Sequence, residues 1–124
     1  LRGVDIRILL PGQSDSWLVT QATREYVQIL KRSGIQFFTY DDGFLHQKVA
    51  LIDDEWACVG SANLDNRSLR INFEANALVQ DHDFARKIEI MLLEDFQHSH
   101  PTLVDSRWHK QLLGKICRLM APLL

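Results

Sequence analysis

The sequence is poor in the residues that build covalently or metal-held scaffolds. Its 124 residues include only two cysteines, Cys58 and Cys117, which form neither a CxxC pair nor a cluster with histidine. This argues against a disulfide framework and against a zinc site. Reduced structural thiols are therefore expected, and no metal or other cofactor is predicted.

Two further absences narrow the class of protein. No apolar run approaches the roughly 20 residues that span a bilayer, and no signal-peptide pattern is present. With 14 Lys and Arg against 16 Asp and Glu, the net charge is −2. A protein held on nucleic acid mainly by phosphate contacts needs a basic face, so no nucleic-acid partner is expected.

The first third of the chain predicts a βαβ unit. Val4–Leu10 is apolar and β-branched and ends at Pro11-Gly12, which indicates a buried strand. Residues 14–34 have capping residues, helical spacing of apolar residues and a closing glycine, and Ile35–Tyr40 is a second strand. Strand, helix and strand in this order predict parallel pairing and an α/β fold class. Because the chain opens at Leu1 directly into a strand pattern, we expect one compact domain cut from a longer protein.

The remainder predicts a hairpin and a packing helix. Two strands, Phe44–Ile52 and Trp56–Val59, are expected to be joined by a turn at residues 53–55. A third strand over Phe73–Val79, a helix over His82–Phe96 and a polar linker over Gln97–Asp105 are expected to follow. We therefore divide the chain into a main domain over residues 1–100 and a tail over residues 101–124. Four histidines lie outside any motif, and capping or solvated roles are expected for His82, His98, His100 and His109.

Two polar residues interrupt the first hairpin strand. His46 and Lys48 share one face, since residues i and i+2 of a strand point the same way, while Val49 and Leu51 face the core. A turn about Asp54 would bring Gly60 opposite Lys48 and return the segment Gly60-Ser61-Ala62-Asn63 to the same place. An imidazole, an ammonium, a hydroxyl and an amide around a glycine suit a phosphate or phosphodiester.

Two carboxylates need separate interpretations. Asp53 lies roughly 23 Å along the strand from His46 at about 3.3 Å per residue and has the opposite parity, so we expect it to hold the turn. Glu74 stands within an apolar strand pattern, and a buried carboxylate needs a partner. It is the better candidate to orient His46, with an ordinary ion pair to Arg67 or Arg70 as the alternative.

These residues are where the chain resembles a known family. His46-x-Lys48-x4-Asp53-x6-Gly60-Ser61-x-Asn63 resembles the HxKxxxxD motif of the phospholipase D superfamily with the GSxN element that follows it. GVDIRILLPG before the motif and NLDNRSLRINFEANALVQD after it resemble the C-terminal catalytic half of bacterial cardiolipin synthases. The resemblance implies an α/β/α sandwich with a mixed sheet flanked by helices.

The resemblance also implies a mechanism that needs two motifs, of which this chain has one. One histidine attacks the phosphodiester to give a phosphohistidine, and the other protonates the leaving alkoxide and later activates the acceptor hydroxyl. His46 is one of the two, and the acid/base role is the expected one. Catalytic roles are implied for His46, Lys48 and Asp53 of the motif. Lys48, Ser61 and Asn63 would bind the phosphate oxygens, and Glu74 would fix the tautomer of His46.

The implied function is transfer of a phosphatidyl group between two phosphatidylglycerol molecules, giving cardiolipin and glycerol. The implied partners are phosphatidylglycerol, the surface of the bacterial inner membrane, and either an N-terminal half with the other motif or a second copy in a homodimer. The alternatives are another phosphodiesterase of the superfamily, a phospholipase or nuclease, and an inactive half that only binds membranes.

The tail is basic and amphipathic. Trp108, Leu112, Ile116 and Leu119 share one helical face, and no acidic residue follows Asp105. This pattern is typical of a helix at a membrane surface. Packing of the same helix on its own domain or on the missing half is the alternative.

Overall fold

The chain folds into two compact units, as described by a computed structural model for residues 3–12, 23 and 26–103. The second unit is His46–Gln97, and the first unit is formed by the described residues before and after it. Each unit has its own three-stranded sheet. One sheet is mixed and the other is antiparallel, and helices accompany them, so the fold is α/β, as the sequence predicts.

The first unit contains the predicted βαβ order. Strands β1 (Arg7–Pro11) and β2 (Gln36–Tyr40) pair in parallel, with Arg7 opposite Gln36 and Pro11 opposite Tyr40. Residues 26–31 between them are helical (α1). The turn after α1 contains Gly34 at φ 87°, a left-handed conformation that glycine adopts without a side-chain clash. The parallel pairing that the sequence predicts is therefore confirmed.

The predicted linker over 97–105 is wrong for its central residues. Ser99–Pro101 forms strand β6 and pairs antiparallel with β2, which makes this sheet mixed. The Thr102 amide donates to the Phe37 carbonyl over 2.8 Å, which extends the pairing by one residue. A three-residue polar strand at a sheet edge has no apolar alternation to reveal it, and a proline is tolerated there.

The second unit is an antiparallel meander covered by a helix. Strands β3 (Val49–Ile52), β4 (Trp56–Gly60) and β5 (Asn76–Gln80) pair in that order, and α3 (His82–Gln97) packs on them. Val49 and Leu51 are half-buried while Ala50 and Ile52 are exposed, which confirms the predicted alternation. The helix predicted over His82–Phe96 is also confirmed.

A short helix, α2 (Asn66–Arg70), was not predicted. Asp65 is its N-cap and accepts from the Ser68 amide over 2.7 Å. Five residues are too few for a helical period, so only the capping pattern indicates α2.

Neither the tail nor the predicted division at residue 101 is tested by these elements. The predicted amphipathic helix lies in residues 104–124, outside the described residues, so the division of the chain at residue 101 stays a prediction. Among the helices of the described ranges, none is long and apolar enough to cross a membrane.

Candidate active site

The second unit carries an open cavity of about 380 Å³. Its lining consists of His46, Lys48, Gly60, Ser61 and Asn63. These are the residues that the hairpin argument predicts to meet. Asp53 and Glu74, the two carboxylates among the predicted site residues, do not line the cavity.

The hairpin register brings the two halves of the motif together. Val49 pairs with Val59, and the Gly60 amide donates to the Lys48 carbonyl over 3.1 Å. Lys48 therefore lies opposite Gly60, as predicted. The prediction that the strand begins at Phe44 is wrong, because β3 begins at Val49 and both His46 and Lys48 precede it.

The segment that carries His46 and Lys48 is also tied to α3. Gln47, between the two, donates through its side-chain amide to the carboxylate of Asp95 on that helix. Both neighbours of Gln47 line the cavity, whereas Gln47 itself does not. The contact with α3 therefore holds the segment from the side away from the cavity.

Lys48 is half-buried and its ammonium donates to the His46 carbonyl over 2.7 Å. An ammonium carries three donors, so this bond leaves two for other acceptors. The positive charge lies at the edge of a cavity large enough for a phosphate group. Such a charge stabilises a bound phosphodiester and the extra negative charge of its transition state.

Gly60 allows a close approach of the next strand. A Cβ at this position would overlap Asn76 Oδ1 and the Ala75 carbonyl oxygen and would lie 2.7 Å from Asn76 Cα. The contacts are largely with backbone, so they could not be relieved by a rotamer change. The glycine is therefore required by the β4–β5 pairing.

The loop after Gly60 is bonded to the segment that leads into β5. The Ser61 amide donates to the Ala75 carbonyl and the Ala75 amide donates to Ser61 Oγ, each over 3.0 Å. The Ala62 amide donates to Asn76 Oδ1 over 3.3 Å. Sequence reasoning missed Asn76, although its position opposite Gly60 follows once the β4–β5 register is known.

Glu74 lies before β5 and is half-buried, so its predicted position inside a strand is wrong. Its Oε2 accepts from Ser61 Oγ over 2.5 Å, and Oε1 accepts from Asn72 Nδ2 over 3.3 Å. The hydrogen bonds from Ser61, Ser68 and Asn72 lower the pKa of the Glu74 carboxyl below its ordinary value. The charge of Lys48 acts in the same direction, and partial burial opposes it.

The two interpretations of Glu74 fare differently. None of the ion pairs among residues 3–12, 23 and 26–103 includes Glu74, so the alternative pairing with Arg67 or Arg70 is absent there. The carboxylate is held ionised beside the cavity by hydroxyl and amide donors instead. The hydrogen bond from His46 to Glu74 stays a prediction.

Asp53 lies in the hairpin turn, where it is exposed and has φ 53°. Aspartate is one of the few residues other than glycine that adopts this left-handed conformation readily. The turn position agrees with the structural role argued from the sequence. A catalytic role for this residue of the motif stays a prediction.

Three of the remaining histidines have partners, and none of the three lines the cavity. His82 Nδ1 donates to the Asp54 carbonyl over 2.8 Å, while His98 and His100 pair with Asp42 and Asp41. The His82 bond joins the start of α3 to the hairpin turn. All three imidazoles are exposed, and His109 lies outside the described residues.

The proteins that this chain resembles in sequence are cardiolipin synthases. Residues 1–96 match the family model described as the phospholipase D-like domain of cardiolipin synthase. The chain is 47% identical to cardiolipin synthase A of Pseudomonas putida W619 and 46% identical to that of Pseudomonas syringae B728a. Both alignments cover 100% of this chain but only 27% of the relative.

A solved structure supports the same fold. Nuc, a phospholipase D family member from Salmonella typhimurium, superposes with a TM-score of 0.67 over 82% of this chain and 66% of that chain, at 22% identity. The fold and the matching family model thus define a phospholipase D-like α/β domain. The chain belongs to the family of cardiolipin synthase phospholipase D-like domains, as the motif resemblance predicts.

Proposed function

We propose that this chain is one catalytic half of a cardiolipin synthase, a phosphatidyltransferase that uses phosphatidylglycerol as both donor and acceptor. The observation that carries the proposal is the meeting of His46, Lys48 and Asn63 around one open cavity. The support from relatives is their name, cardiolipin synthase A, at about 45% identity over the whole chain.

In the proposed reaction a histidine attacks the phosphorus of the first phosphatidylglycerol and forms a phosphohistidine. The glycerol oxygen leaves with a proton from the second histidine, which then removes a proton from a hydroxyl of the second phosphatidylglycerol. That hydroxyl attacks the phosphohistidine, and cardiolipin is released. His46 takes the acid/base role, while Lys48 and Asn63 bind the non-bridging oxygens.

A second histidine is needed, and the motif occurs once in this sequence. The chain spans 27% of the length of the relatives it matches, so the remaining chain of a parent protein can supply it. A second copy of the chain is the other source. Attachment of the parent protein to the bacterial inner membrane, where both lipid substrates lie, is part of the proposal.

The test uses the full-length parent protein with phosphatidylglycerol vesicles. His46→Ala should lower cardiolipin formation and glycerol release about 10²- to 10⁴-fold, the range of a general acid or base. His100→Ala is the matched control, because this exposed histidine pairs with Asp41 and is not among the residues that line the cavity. Unchanged transfer by His46→Ala would contradict the proposal, and DNA cleavage or simple lipid hydrolysis by the wild type would favour another phosphodiesterase.

A further inference from the structure

Three residues form a row across the sheet of the second unit. Lys48 lies opposite Gly60, and Gly60 pairs with Asn76 in the β4–β5 register. Directly paired residues of neighbouring strands share a face, so the side chain of Asn76 lies on the same face as that of Lys48. Gly60 has no side chain between them.

The carboxamide of Asn76 fills the place that a side chain at position 60 would take. Its Oδ1 overlaps the position of a Cβ at Gly60, and its Cα would be 2.7 Å from that atom. The carboxamide of Asn76 therefore lies directly over Gly60, which lines the cavity. No residue type larger than glycine at position 60 is compatible with this arrangement.

The orientation of the carboxamide is determined by its partner. The Ala62 amide is a donor, so the atom 3.3 Å from it must be the oxygen of Asn76. Ala62 directly precedes Asn63, which lines the cavity. Two further bonds join Ser61 to Ala75, so the Asn76 bond is the one nearest to Asn63.

We propose that Asn76 is a positioning residue: its carboxamide, lying over Gly60 and accepting from the Ala62 amide, fixes the direction in which Asn63 enters the cavity. Asn76 acts through the loop and does not bind the phosphate. The part of this inference that is measured as cardiolipin formation rests on the proposed function. Displacement of a phosphate ligand by about 1 Å can reduce turnover about 10²-fold, which sets the size of the effect.

The experiment compares Asn76→Ala with wild type in the full-length parent protein. Hydrogen exchange followed by mass spectrometry should show faster exchange for peptides covering residues 60–63, and kcat with phosphatidylglycerol vesicles should fall about 10- to 10²-fold with KM nearly unchanged. Gln80→Ala is the matched control. Gln80 lies on the same face of β5, four residues along, and its side chain donates to Glu55 at the other end of the hairpin.

Three outcomes decide the proposal. Exchange over 60–63 that is unchanged in Asn76→Ala overturns it, whatever happens to turnover. If Asn76→Ala fails to fold, Asn76→Asp takes its place, since a carboxylate keeps the acceptor. Wild-type exchange over 60–63 in Asn76→Asp supports the acceptor role, and fast exchange there overturns it. A wild type without cardiolipin formation refutes the proposed function, while the exchange measurement still tests the positioning role.

Discussion

The hydroxyl of Ser61 lies 2.5 Å from the carboxylate oxygen Oε2 of Glu74 and accepts a hydrogen bond from the Ala75 amide. A serine hydroxyl has one proton, so in this arrangement the proton is given to Glu74. Ser61 therefore stabilises the ionised carboxylate, and the predicted contact with phosphate would require that proton to change partner.

Ser61→Ala should raise the pKa of Glu74, because it removes the largest of the hydrogen bonds that lower it. A lowered folded-state pKa stabilises the protein above the ordinary value of 4.5, and this stabilisation is lost as the pH falls through the folded-state pKa. The variant should thus lose less stability than wild type on acidification below that value. The midpoints of urea unfolding between about pH 3 and pH 6 measure this difference. Ser61→Thr, which keeps a hydroxyl, is the control. An equal loss of stability with falling pH in Ser61→Ala and wild type would contradict the prediction.

Removal of the charge at Lys48 should impair transfer strongly. Lys48→Met keeps a long apolar side chain but removes the ammonium at the cavity, and loss of one preorganised donor costs about 10²- to 10³-fold in kcat. Steady-state cardiolipin formation by the parent protein measures the loss. Lys87→Met, at an exposed lysine of α3, is the matched control. A kcat within twofold of wild type would remove Lys48 from the proposed chemistry.

Gly60→Ala should destabilise the second unit. The added Cβ would overlap the Ala75 carbonyl oxygen and the Asn76 carboxamide. Overpacking of this kind costs about 1–3 kcal/mol of unfolding free energy. Gly34→Ala is a useful comparison, because nothing lies within 4 Å of its added Cβ and only the left-handed φ of 87° opposes it. Urea unfolding of both variants measures the costs, and a Gly60→Ala midpoint equal to wild type would show that β5 can move away.

His82 should make stability pH-dependent near neutrality. Its bond to the Asp54 carbonyl, aided by the negative charges of Asp54, Glu55 and Asp81, raises the pKa of His82 above its ordinary value of 6.5. A raised folded-state pKa stabilises the protein fully below the unfolded value, and this stabilisation is lost as the pH rises through the folded value. The difference in Tm between wild type and His82→Asn should therefore shrink from about pH 5.5 to pH 8.5. A constant difference would contradict this linkage.

The hairpin and its polar residues were predictable because local rules determine them. The turn residues set the register, and the register brings Lys48 opposite Gly60. Alternation then separates Val49 and Leu51 from the polar side. No long-range information is needed for this part of the site.

Elements that depend on distant pairing were not predictable in the same way. Ser99–Pro101 is a strand only because β2 offers it an edge. The partner of Glu74 depends on where β5 begins, since the start at Asn76 brings residues 74 and 75 beside Ser61. Such contacts follow from the tertiary register and from side-chain geometry, which a period of apolar residues does not encode.

The four unspecified residues between Lys48 and Asp53 are strand β3 itself, Val49–Ile52. The spacing of the motif is thus the length of one strand, bounded by the cavity at one end and by a left-handed turn at the other. Because neighbouring side chains alternate, a single inserted or deleted residue in β3 would reverse the side on which Lys48 emerges without altering any residue of the motif. The spacing of the motif therefore fixes the length of β3. We expect an insertion or deletion in β3 to be more damaging than a substitution within it.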